Sequence, residues 1–138
     1  MNRQELQKLA NLRRADAAAL LRERRFAAAY YIMGYSVECA LKACIAKQIK
    51  RYDFPDKKLA ERSHTHKLEQ LVKLAGLGAD LTSDIRLNRT IAENWAVVKD
   101  WSEEARYNFD VSKRLALDLY SACTARKHGI LNWIKRRW

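Results

Sequence analysis

The chain has 138 residues, a length that suits one domain built around a single core, residues 1–138. One proline and four glycines leave little material for turns. The abundance of Ala, Leu, Lys, Arg and Glu favours helix and excludes the short alternating strands of a sandwich or barrel, so an all-α bundle is expected.

The first predicted helix covers residues 2–22, where Leu6, Leu9, Ala10, Ala17, Leu20 and Leu21 form a stripe between charges. "RERR" (22–25) interrupts it, as a connection or as an exposed turn of continuing helix. A second helix spans 25–50, with Phe26, Tyr30, Met33, Val37, Leu41, Cys44 and Ile45 at the helical period and apolar residues on much of the other side. Such a helix belongs at the centre of a bundle. Gly34 weakens it but permits close approach of another group. Residues 51–64 form the longest irregular stretch, with Phe54-Pro55 ending the second helix. A short helix follows over 65–75 through Leu68, Leu71, Val72 and Ala75, closed by Gly76 and Gly78. A fourth spans 84–105, capped by Thr82, Ser83 or Asp84, with Ile85, Ile91, Trp95, Val98 and Ala105 inward. "RYNFD" (106–110) connects it to a fifth helix over 111–136, striped by Leu115, Leu119, Ala122, Cys123, Arg126 and Ile130, with a kink or fraying at Gly129.

The formal charge of +11 raises the expectation of an anionic partner: nucleic acid, nucleotide or acidic protein. Cys39, Cys44 and Cys123 read as buried free thiols of a reducing cytoplasm. Cys39 and Cys44 diverge by roughly 140° around a helix and do not share a metal easily. The charged N-terminus does not resemble a signal peptide, and the run Phe26–Val37 falls short of the ~20 residues a membrane span needs, so a cytoplasmic location is expected. No dinucleotide, P-loop, nucleophile-elbow or zincin pattern is present, so no cofactor and no catalytic residue is assigned. His64 and His66 lie near Glu61 and Glu69, but without converging ligands they read as part of a solvated loop, not a metal site. The C-terminal "RKHGILNWIKRRW" sets Arg126, Lys127, Lys135, Arg136 and Arg137 among two tryptophans, a pattern suited to holding phosphates and stacking bases, or to docking Trp133 and Ile134 on the bundle with the cations solvated.

Glu38 is a carboxylate in the middle of the most apolar helix. Lys42 stands four residues on, in the favourable orientation for an ion pair. If Glu38 points into a seam it needs a basic partner, for which Arg106, Lys42 and Arg25 are the candidates.

"AAAYYIMGYSVECALKACI" (27–45) resembles the second-helix signature of the HEPN family of helical domains: small and aromatic residues, G-Y, an acidic residue, then A-L-K-A. "NLRRADAAALLRERRF", "THKLEQLVKLAG" and "WAVVKDWSEEARYN" resemble its first helix, its short helix and its fourth helix with the R-Y turn. The resemblance implies a bundle of four to five helices in up-and-down order, often a homodimer. Many members cleave RNA without metal through an R-x(4–6)-H motif at the dimer cleft; others bind RNA or nucleotides, or pair with a minimal nucleotidyltransferase in toxin–antitoxin modules. It maps the acidic cleft residue to Glu38 and the motif arginine to Arg106. The motif histidine is missing: Val111, Ser112 and Lys113 occupy its positions. The resulting expectation is a non-catalytic binding module in which Arg106, Lys42, Tyr107 and Asn108 meet the ligand and Glu38 hydrogen-bonds and orients Arg106. The alternatives are a ribonuclease with an altered site, using Tyr107, His128 or a loop histidine, and a nucleotidyltransferase-pairing protein.

Overall fold

A computed structural model describes residues 1–49 and 57–138. The described residues contain eight α-helices and no strand: α1 (Arg3–Arg22), α2 (Phe26–Lys47), α3 (Lys57–Arg62), α4 (Leu68–Leu74), α5 (Gly78–Leu87), α6 (Arg89–Lys99), α7 (Lys113–Thr124) and α8 (Ile130–Lys135). A 3-10 helix, Glu103–Tyr107, lies between α6 and α7. This is the expected all-α bundle. No helix among the described residues is long and apolar enough to cross a membrane.

Helix α2 is the axis. It packs along α1 and also meets α4, α7, α8 and the 3-10 helix. Met33, Val37, Leu41 and Cys44 are buried on it, as are residues on its other sides, which accounts for its all-round apolar sequence. α1 begins with a reciprocal cap: Asn2 accepts from the Glu5 N–H, and the Glu5 carboxylate accepts from the Asn2 N–H, both at 2.9 Å. "RERR" is the α1–α2 turn, with Arg24 in the left-handed region at φ 58° and its guanidinium over the Phe26 ring. Gly76, at φ 73°, terminates α4 as expected, while Gly78 opens α5.

Two long predicted helices are each divided. Residues 84–105 contain a break at Asn88, whose extended backbone lets its side chain accept from the Ile91 N–H and start α6; Thr82, Ser83 and Asp84 lie inside α5. The 111–136 stretch breaks at Ala125, where ψ swings to 135°. Asn132 donates to the Thr124 and Ala125 carbonyls, satisfying the end of α7, and Gly129 lies against the Ala125 backbone where a side chain has no room. Leu115, placed in the core stripe, is 43% exposed. Of the 51–64 irregular stretch, 57–62 is helical; the Phe54-Pro55 stop and the end of the second helix at 50 lie outside the described residues.

One core gathers α2 with Leu68 and Leu71 of α4, Ile91, Trp95 and Val98 of α6, Leu119 and Cys123 of α7, and Ile130, Leu131, Trp133 and Ile134 of α8. Burying each such aliphatic side chain stabilises the fold by about 1.5–3 kcal/mol before entropy is charged against it. The three cysteines are buried free thiols.

Candidate functional site

Position 34 organises one face of α2. With no side chain on Gly34, the Trp101 indole lies directly against the helix, where any Cβ would overlap the ring. Trp101 is buried just past the end of α6, and it seats the following 3-10 helix on α2. Its ring stacks on Tyr31 at 6.1 Å between centroids, and Tyr31 lies beside Tyr35 at 6.3 Å with ring planes 10° apart. Positions 31, 35, 38 and 42 share one side of the helix. Two half-buried tyrosines therefore lead from the 3-10 helix toward Glu38.

Glu38 is 2% exposed. Its Oε1 accepts from Lys42 Nζ at 2.9 Å and from His66 Nδ1 at 2.8 Å. Burying a carboxylate costs several kcal/mol unless donors replace its water, and these two donors do so. The Lys42 side chain is 23% exposed and that of His66 42%, so the cluster reaches the surface through its basic members. His66 is delivered by the α3–α4 connection and fixed from the α4 side, where Leu68, Leu71 and Val72 are buried. The neighbouring Thr65 hydroxyl donates to Gln70 and accepts from the Lys67 N–H.

Arg106 is placed differently from the expectation. It does not hydrogen-bond Glu38: the carboxylate is held by Lys42 and His66, and Arg106 lies exposed on the 3-10 helix with its guanidinium 5.0 Å from the Tyr107 ring centroid. Tyr107 chiefly, and Tyr31 in addition, hold its pKa above the ordinary value. The physical reason is reach. Tyr31, which faces Arg106, lies two turns of α2 from Glu38, about 10 Å along the axis. Asn108 turns its side chain back to accept from the Asp110 N–H. Glu38 and Lys42 thus meet each other, Arg106 and Tyr107 meet each other, and Tyr31 and Tyr35 lie between the two groups.

The C-terminal cations also separate. Arg137 lies 3.8 Å over the Trp133 ring and pairs with Asp84 at 3.4 Å and Asp80 at 3.6 Å, while Asp84 accepts from the Trp133 indole N–H at 2.8 Å. It docks α8 on α5. Lys135 donates to Asn11 of α1 at 2.8 Å and lies over the Trp138 ring; burial and the nearby Arg14 lower its pKa. Arg126 and Lys127 are exposed in the α7–α8 turn, and Arg136 donates to the Lys127 carbonyl. Among the described residues, no carboxylate pairs with Lys127, Lys135 or Arg136.

Reading the sequence set His66 in a solvated loop, whereas it meets Glu38, and it missed Tyr31 and Tyr35. The tyrosines had a usable signal in their i, i+4 spacing; His66 had none, because its partner is 28 residues away. Among the described residues, no group of His, Cys, Asp and Glu is arranged to hold a metal ion. Comparison with protein-family models, with curated proteins and with solved structures finds no match to this chain.

Proposed function

We propose that this chain is a non-catalytic HEPN-like module that binds RNA or nucleotide phosphates in a basic cleft along α2, as a homodimer. The observation that carries the reading is the α2 face: parallel Tyr31 and Tyr35 rings with the exposed Arg106 at one end and Lys42 and His66 at the other. Aromatic faces accept bases of any sequence, and flanking cations hold the phosphates. Arg106 and Lys42 contact phosphate, Tyr107 and Asn108 border the site, and Glu38 holds Lys42 and His66 in place. Lys127, Lys135, Arg136 and Arg126 extend the positive surface; Arg137, committed to Asp80 and Asp84, contributes to folding instead. Tyr107, Phe109 and Leu115 are large apolar side chains exposed at 74%, 94% and 43%, surface that a second copy would cover; a nucleotidyltransferase-like protein is the alternative occupant. Single-stranded RNA binding measured across a salt series tests the reading: each phosphate neutralised adds about −0.7 to the slope of log affinity against log salt. Absence of binding at low salt rejects it.

The Glu38–His66 contact favours one second reading, a metal-independent ribonuclease with an altered site. A buried carboxylate accepting from Nδ1 leaves Nε2 of the neutral imidazole as a proton acceptor. Incubation of wild type and His66→Ala with RNA in a chelator decides it: cleavage by the wild type alone establishes the enzyme, and no cleavage by either leaves the binding module.

A further inference from the structure

Four cations form a band across the end of α8. Lys135 reaches toward α1, where its ammonium donates to the Asn11 side-chain oxygen at 2.8 Å and lies over the Trp138 ring. Arg14 stands three residues beyond Asn11 on α1, so the two share a face and Arg14 flanks Lys135. Arg136 turns the other way and donates to the Lys127 carbonyl at 3.1 Å, which sets its guanidinium at the exposed α7–α8 turn. Lys135 and Arg136 are thus held by neutral acceptors, which fix their positions and leave their charge uncompensated. Arg137, the next residue, differs: Asp80 and Asp84 neutralise it. Among the described residues, no carboxylate pairs with Arg14, Lys127, Lys135 or Arg136. Burial, and then the like charge of Arg14, lower the Lys135 pKa, so an anion bound there relieves a repulsion.

The band extends the positive surface to a different side of α2 from the tyrosines. The end of α8 meets α2 at Cys44, whose thiol faces the Ile134 carbonyl, and at Lys47, which donates to the Arg137 carbonyl. Both positions lie roughly 140–160° around the helix from Tyr31.

We infer that Arg14, Lys135, Arg136 and Lys127 form a second anion site, which takes a linear chain of phosphates, either an RNA backbone or inorganic polyphosphate. Such a chain carries charge on every unit and meets cations set in succession, and guanidinium groups match phosphate oxygens two at a time. Cations already fixed lower the ordering cost of binding, whereas an acidic peptide must still order each carboxylate side chain. The inference rests on the proposed reading of these cations as phosphate contacts and is independent of the α2 face.

Isothermal titration at low salt with a short inorganic polyphosphate, which has no bases to stack, tests it. The wild type binds, and Arg14→Gln combined with Arg136→Gln weakens binding by about tenfold or more. Lys135→Met, which keeps the apolar stem, weakens it as well. Lys73→Gln combined with Lys113→Gln removes the same charge from exposed positions on α4 and α7 and leaves affinity within about twofold. Arg106→Gln also leaves it unchanged. Single-stranded oligouridylate separates the two sources: if the band variants weaken it too, the site takes RNA; if they weaken polyphosphate alone, it takes free polyphosphate. Absence of polyphosphate binding overturns the inference, as does an equal loss in the Lys73 and Lys113 variant, which marks general attraction to a basic protein. So does polyglutamate of matched charge binding as tightly. Loss of oligouridylate binding in Arg106→Gln, with both ligands unaffected by the band variants, overturns this site and keeps the α2 cleft; the reverse pattern overturns the cleft and keeps this site.

Discussion

Glu38 and His66 stand 28 residues apart in the chain and meet at 2.8 Å, one on the central helix and the other on the connection leading into α4. With Lys42 on the same oxygen, the contact ties that connection to the core through a charge. Glu38→Ala leaves two donors without their acceptor. Both partners are partly exposed and water reaches them, so the expected loss is about 2–3 kcal/mol, below the cost of stranding a fully buried charge. Glu38→Gln keeps one acceptor and costs less. Urea midpoints of the two variants check this; effects within about 0.5 kcal/mol for both would identify Glu38 as a surface charge.

Gly34→Ala sets two effects against each other. Alanine gains up to about 1 kcal/mol in helix propensity, but its Cβ takes the place of the Trp101 ring. Overpacking costs about 1–3 kcal/mol, so a net loss of stability is expected. Displacing Trp101 also shifts the 3-10 helix that carries Arg106, and RNA affinity falls with it. A higher melting temperature in this variant contradicts the packing described here.

Arg106 and Arg137 are both cations of the predicted site, and the structure separates their roles. Arg106→Gln flattens the salt dependence of RNA binding by about one phosphate's share and leaves stability within about 0.5 kcal/mol. Arg137→Gln lowers the unfolding midpoint through loss of the Asp80 and Asp84 pairs and the Trp133 stack, and leaves the salt slope unchanged. Reversal of these two patterns reverses the assignment.

The buried thiols give stability an alkaline limit. Burial raises Cys39 and Cys44 from 9.0 to about 11 and pushes Cys123 up further. A folded-state pKa above the unfolded value means the fold favours the neutral thiol. The contribution is fully present below about pH 9 and is lost as pH rises from 9 toward 11, because the unfolded chain ionises first. Burial shifts Tyr30 and Tyr35 the same way, from 10.0. Unfolding free energy measured at pH 8, 9 and 10 should fall, and Cys123→Ala should lessen the fall. Native protein at pH 8 should react slowly with a thiol reagent and fully once unfolded.

Composition and periodicity by themselves determined that this chain is an all-helical bundle with the second helix at its centre. Ala, Leu and the long charged residues leave no other regular structure, and a helix apolar on every side has nowhere else to go. The end of α4 at Gly76 was readable for the same local reason. Tertiary structure decided where the long helices break, because Asn88 and Asn132 compete for backbone groups only where the chain around them permits it. It decided that Trp101 rests on Gly34, that Arg137 belongs to Asp80 and Asp84, and that Glu38 is held by Lys42 and His66 rather than Arg106. A buried charge announces from sequence that it needs a partner; which residue supplies it depends on the direction in which distant segments return to the core, and no local pattern encodes that direction.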